Sequence, residues 1–179
     1  NRKAIRRVLP ELEVLILTVG ADLLRNYLVR HTKLSDYDPE SRDAFLYVLG
    51  KEALLAGKEK RSIQFLSGIS DESLLLPFAL QMRAVAYSLL GKLQSSENDF
   101  RSCAKEAEKK SSDIASKKSV NPKWAGHKKK ELEDLRWRCQ AGLARVYYEQ
   151  GEFQKAERAW VRVPKSTFVY TDVLFEQAW

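Results

Sequence analysis

The chain has 179 residues, of which 44% are hydrophobic, and it carries a net charge of +7 at pH 7. It is long enough to form one ordinary domain around a sizeable core. With 8 Gly and 5 Pro the composition favours helix, and no alternating β-branched run predicts a strand. The most hydrophobic stretch, residues 11–29, contains four charged side chains, which argue against a membrane span.

Residues 1–42 are predicted to form a capping helix and a loop, with the second helix of a preceding degenerate repeat as the alternative for that helix. The helix covers residues 10–33. Asp38 is expected to cap the following helix, and Pro39 to be that helix's first residue. Since the sequence has no initiating Met and ends within an apolar pattern, we expect it to be a piece of a longer protein, so its targeting cannot be read directly.

Three glycines, Gly57, Gly91 and Gly151, organise the rest of the chain. Each ends an apolar helical run and is followed by a short polar turn and a second helical run. The first two are 34 residues apart, and the third lies 60 residues further, which is one period plus about 26 residues. Small residues lie seven before and five after each glycine, and a large apolar residue lies nine after it: Gly50, Ala84, Ala144, Ser62, Ser96, Ala156, then Leu66, Phe100 and Trp160.

This period, with two helices per repeat, resembles the tetratricopeptide repeat (TPR) family over residues 43–179. The stretch LARVYYEQGEFQKAERAW, residues 143–160, is the best match. The resemblance implies an all-α fold, a TPR-like solenoid of antiparallel helix pairs. Its repeats would cover residues 43–76, 77–104 and 132–168, with a truncated repeat at 169–179. The first two repeats depart from the pattern, with Arg83 in place of an expected Leu and Ser62 and Ser96 in place of the usual Ala.

Residues 105–131 interrupt the period and are predicted to form a helical hairpin projecting between repeats two and three. Both flanks lack helix breakers, and Asn121-Pro122 is a turn signal. Three interpretations of its lysines remain open: a solvated face, a site for an acidic partner, lipid or polymer, or a nucleic-acid site in which Trp124 and His127 stack on bases. The basic tip consists of Lys117, Lys118, Lys123, Trp124, Lys128, Lys129 and Lys130.

The two cysteines, Cys103 and Cys139, are predicted to form a disulfide at the base of this hairpin. In an antiparallel hairpin, residues equally far from the turn lie at the same height, and the midpoint of the two cysteines is Asn121. The alternative is two free, buried thiols. A disulfide would indicate an oxidising compartment.

No catalytic constellation is visible in the sequence. There is no Gly-rich phosphate loop and no nucleophile elbow, and the two histidines and two cysteines do not have metal-site spacing. His31 is interpreted as a helix C-terminal residue. We therefore expect no enzymatic activity, no cofactor and no small-molecule substrate.

The family resemblance implies an interaction scaffold that binds a protein or peptide segment in the concave groove formed by the first helices. The alternative is a nucleic-acid- or anionic-polymer-binding helical repeat that uses the lysine-rich hairpin. Carried over position by position, the groove residues are Tyr47, Lys51, Leu54, Phe78, Gln81, Val85, Ser88, Arg138, Arg145 and Tyr148.

The last twenty residues, WVRVPKSTFVYTDVLFEQAW, carry a second resemblance. They are similar to the W-x-x-V-P…Ala-Trp junction of large bacterial cell-envelope repeat proteins, some of which belong to envelope-assembly or gliding-motility complexes. This implies a periplasmic or envelope location, with the cytoplasm as the alternative. Leu174, Phe175, Ala178 and Trp179 are expected to belong to the first helix of a fourth repeat, whose uncovered apolar face would favour self-association.

Overall fold

A computed structural model describes residues 31–37, 39–116 and 121–177, and over these residues the chain is all-α, with no strand. A 3-10 turn at Leu34–Asp36 precedes the α-helices. The helix predicted for residues 10–33 lies outside the described residues except for its last three, and its neighbour Asp38 also lies outside them. The helices are α1 (Pro39–Leu55), α2 (Glu59–Leu66), α3 (Leu76–Leu89), α4 (Leu93–Ser116), α5 (Pro122–Glu149), α6 (Phe153–Val161) and α7 (Tyr170–Gln177).

The chain divides into two compact units, Asn1–Ala86 and Tyr87–Trp179. In the first unit, α1 and α2 form an antiparallel pair. The start of α1 contacts the chain just beyond the end of α2, and the later part of α1 contacts the start of α2. The backbone N–H of Ser70 donates to Asp43 at 3.2 Å, and the Ser62 hydroxyl donates to the carbonyl of Gly50 at 2.8 Å. A Cβ atom at Gly50 would lie 2.5 Å from the Leu66 side chain, so the pair is close because this position has no side chain.

In the second unit, α4 and α5 form a long antiparallel pair, and α6 packs on the C-terminal half of α5. Asn121 caps α5 by accepting hydrogen bonds from the backbone N–H groups of residues 123 and 124, and Pro122 occupies the first helical position. The two predicted over-long helices are therefore confirmed, and α5 begins at the predicted Asn121-Pro122 break.

The three organising glycines form the same turn. Their φ angles are +66°, +69° and +76°, and they are the positive-φ glycines of the described chain. At each one, the glycine N–H bonds to the carbonyl three residues back, and the next N–H bonds to the carbonyl five residues back, which is the Schellman motif. The residue after the glycine then accepts the first bonds of the next helix. The left-handed glycines predicted from the spacing are confirmed at Gly57, Gly91 and Gly151.

The large apolar residue nine positions after each glycine packs against the helix that follows its own pair. Leu66 lies in a buried cluster with Ala79 of α3. The Phe100 ring packs against Gly142 of α5, where an added Cβ would lie 2.5 Å from it. Trp160 donates its indole N–H to a carboxylate on α7 at 3.1 Å. Each of these side chains thus joins its helix to the next helix along the chain.

The turn geometry makes a direct prediction for Gly151→Ala. Space is not limiting, since nothing lies within 4 Å of an added Cβ, but an L-residue at this φ costs roughly 1–2 kcal/mol. We expect the urea midpoint to fall accordingly. Gly151→Asn is the matched control, because Asn tolerates the left-handed region and should recover part of the loss. Equal stability of the wild type and Gly151→Ala would contradict the strained-turn explanation.

Candidate functional site

Helix α3 has a partly exposed apolar face that includes two predicted groove residues, Phe78 and Val85. Phe78 and Gln81 are half-buried and Val85 is 38% exposed. Leu89, one turn beyond Val85, is 64% exposed. Phe78, Val85 and Leu89 lie at i, i+7 and i+11, so they share one face of the helix. Sequence reasoning missed Leu89, although its spacing from Phe78 and Val85 was available as a signal.

The predicted groove residues of α1 are less accessible. Tyr47 packs against the buried cluster that contains Leu46 and Leu66. Lys51 and Leu54 are half-buried, one and two turns further along the helix. The three positions share one side of α1, as predicted, but Tyr47 serves mainly as part of the core.

The predicted groove residues of α5 face α7 and the segment before it. The Arg138 guanidinium lies over the Phe168 ring at 4.8 Å. Nε of Arg145 donates to Glu176 at 2.6 Å, and the same carboxylate accepts from Trp160. The two arginines are exposed, so each combines an intramolecular partner with a solvent-facing edge.

Two predicted groove residues contact the second helix of their own pair. The Ser88 hydroxyl shares a hydrogen bond of 2.8 Å with Ser96 at the start of α4, so it points toward the second helix of its own pair. Tyr148 is at the equivalent position and contacts Phe153 edge-on and Trp160 at a tilt, with ring centroids 5.2 and 6.1 Å away on α6. This position, three residues before the glycine, lies beside the turn, where the partner helix is nearest. Tyr148 remains 47% exposed, whereas Ser88 is half-buried.

The predicted basic tip exposes fewer lysine side chains than its sequence suggests. Lys128 is only 3% exposed and forms an ion pair of 2.7 Å with Glu131, which contradicts its assignment to a solvent-facing tip. Successive residues of a helix point about 100° apart, so the three lysines have different surroundings. Lys128 points inward, Lys129 lies beside Glu133 at 3.8 Å, and Lys130 is exposed. A run of three lysines in the sequence therefore does not form one cationic face.

Of the remaining tip residues and His127, two are exposed, one is half-buried and two lie outside the described residues. Lys123 and His127 are exposed. Trp124 is half-buried, and its indole N–H is buried without a hydrogen-bond partner among the described residues. Lys117 and Lys118 lie outside the described residues. Trp124 is thus turned inward rather than presented as a stacking platform.

A polar network joins the N-terminal part of α4 to the C-terminal part of α5. The Glu97 carboxylate accepts from Arg101 at 2.8 Å, and the Tyr147 hydroxyl contacts both of these side chains. Burial raises the pKa of the Tyr147 hydroxyl, and the Glu97 carboxylate raises it further, whereas Arg101 opposes the rise. Lys155 of α6 lies 5.6 Å from the centre of the same ring. These contacts hold three helices together.

The predicted pairing of the cysteines is confirmed. The two sulfur atoms lie at 1.94 Å and the two Cα atoms at 6.1 Å. Both Cys103 and Cys139 are fully buried between α4 and α5. The symmetry argument succeeded because both arms are unbroken helices, α4 ending at Ser116 and α5 beginning at Pro122.

Within the described ranges, no three His, Cys, Asp or Glu side chains come together as metal ligands. None of the helices in this part of the chain combines the length and the apolar character required to cross a bilayer. Comparison with protein-family models, curated proteins and solved structures gave no match.

Proposed function

We propose that the chain is part of a TPR-like α-solenoid that acts as a non-enzymatic scaffold in a larger bacterial envelope protein. It would bind a segment of a partner protein against the exposed faces of its first helices. The observation that carries the binding role is the face of α3 with Phe78, Val85 and Leu89. Exposed apolar side chains aligned on one helix face are typical of grooves that accept a peptide.

Three geometric features support the solenoid. Identical Schellman turns join the two helices of each pair. The seam residue of each pair packs against the next helix. Contacts between α5 and the segment around α7 follow the same order along both segments. Arg138 contacts Phe168, and Arg145, further along α5, contacts Glu176. This order is expected for parallel first helices of consecutive repeats.

The cysteine pair supports an oxidising compartment, since disulfides persist in periplasmic and secreted proteins and are rare in the cytosol. The alternative of nucleic-acid or anionic-polymer binding through the tip loses support because Lys128 is buried and Trp124 faces inward. We therefore place the binding role on the first helices.

The experiment is a selection of peptides from a randomised display library, followed by fluorescence anisotropy. We expect the selected peptides to be rich in apolar residues and to bind Val85→Glu at least tenfold more weakly, which corresponds to about 1.4 kcal/mol. Gln64→Glu is the matched control, because it adds the same charge on an exposed position of α2. Unchanged affinity for Val85→Glu, or loss of affinity in both variants, would reject the α3 face.

A further inference from the structure

We propose that the Cys103–Cys139 disulfide is a redox-controlled clamp on the distal hairpin, defined as residues 104–116 and 122–138. Oxidised, it keeps the two arms paired. Reduced, it lets them separate while the remainder of the second unit stays folded. The proposal concerns a conformational device and is independent of which partner the first helices bind.

The part of the α4–α5 pair between the disulfide and the N-terminus of α4, residues 93–102 and 140–149, is well packed. The Phe100 ring fills the space that Gly142 leaves open, and an added Cβ there would meet three ring atoms within 3 Å. Beyond it, Glu97 contacts Tyr147 and Gln150 of α5. Helix α6 covers the same half of α5, where Gln140 donates to the Ala159 carbonyl at 3.2 Å. This half has its own core and does not need the clamp.

The distal hairpin is packed differently. Its α4 arm presents small side chains, Ala107 and Ser111, beside a solvent-open groove of about 390 Å³ that is lined by both arms. The other side of that groove is formed by long charged side chains of α5, and Glu108 and Arg136 are joined across it at 2.9 Å. An ion pair with this much solvent exposure contributes little, roughly 0–1 kcal/mol.

The distal hairpin buries three large apolar side chains, Ile114, Leu132 and Leu135, but two of its other buried positions are lysines. Lys110 is 5% exposed and Lys128 is 3% exposed. Burying an ammonium group has a desolvation cost that its partners must offset, so these positions contribute less than apolar residues would. Each arm is 13 to 17 residues long, a length at which an isolated helix is marginal in water. The covalent link therefore supplies much of the tendency of the arms to pair.

The redox step needs an external dithiol. Its two thiols become a disulfide, the Cys103–Cys139 bond accepts two electrons, and both cysteines leave as thiols with the two protons. Because both sulfurs are fully buried, the reductant reacts with briefly opened hairpins, so reduction is slow in the closed state. Once open, the arms expose the ammonium groups of Lys110 and Lys128 to solvent.

The test is amine acetylation of the whole chain, read residue by residue by mass spectrometry, with and without dithiothreitol. We expect labelling of Lys110 and Lys128 to rise at least about fivefold on reduction, as local opening exposes them. Lys123 and Lys130 are exposed in the oxidised form, so they serve as internal controls and should not change. Cys103→Ala/Cys139→Ala should label like the reduced wild type.

Hydrogen exchange on the same samples distinguishes local opening from general unfolding. Amides of residues 140–149 should keep their protection while those of the distal hairpin lose it. The proposal is overturned if Lys110 and Lys128 stay as slow as in the oxidised protein. It is equally overturned if residues 140–149 lose protection together with the distal hairpin.

Discussion

Cys103→Ala/Cys139→Ala is expected to lower the free energy of unfolding by about 3–4 kcal/mol, the stabilisation that chain entropy assigns to a cross-link between residues 36 apart. Alanine is the suitable replacement because both sites are fully buried and a serine hydroxyl there would add a desolvation cost. Urea denaturation followed by far-UV circular dichroism measures the change. The wild type in dithiothreitol should match the variant, and the variant should not respond to dithiothreitol.

The oxidation state of the wild type is checked first. Thiol titration of the denatured, unreduced protein should find no free thiol. Two free thiols under air would show that the pair does not form in solution, and the argument for an oxidising compartment would lose its support. A variant as stable as the oxidised wild type would show instead that the bond constrains nothing.

The second large effect is a contrast between two identical substitutions on α5. Gly142→Ala is expected to destabilise the protein by about 1–2 kcal/mol, because the clash with the buried Phe100 ring outweighs the gain in helix propensity. Gly126→Ala should stabilise it by about 0.5–1 kcal/mol, because that glycine is exposed and nothing lies within 4 Å of an added Cβ. Urea denaturation of both single variants measures the contrast.

A double-mutant cycle isolates the cause. Phe100→Leu removes the ring edge that an added Cβ would meet, so Gly142→Ala should cost less in that background than in the wild type. The same cost in both backgrounds would mean that Phe100 is not the obstacle. A loss of stability in Gly126→Ala would contradict the exposed, unconstrained position of that glycine.

The features that follow from local pattern were predictable. A glycine that ends an apolar helical run needs only its own neighbours to adopt a positive φ, so Gly57, Gly91 and Gly151 could be assigned from spacing alone. The Cys103–Cys139 pair was predictable for a related reason. Two unbroken arms and one turn fix which residues lie at the same height, whatever else surrounds them.

The misassigned residues depend on side-chain partners and packing that helix periodicity alone does not specify. Lys128 was expected at the surface because lysine usually is, but its long apolar stem and the nearby Glu131 allow it to be buried. The orientation of Ser88 is decided by a hydrogen bond to Ser96, which helix periodicity alone does not specify. Leu89 was overlooked because the family's positions, rather than the face of α3, guided the selection.

The position of the disulfide also bears on where the chain can change length. Because Cys103 and Cys139 fix the register of α4 against α5, residues added or removed near Asn121 leave the contacts from Phe100 to Gly142 in place. An insertion between Cys139 and Gly151 would instead rotate α5 by about 100° per residue and misalign every contact with α6. The hairpin tip is therefore a natural place to graft foreign sequence, such as an epitope or a small domain.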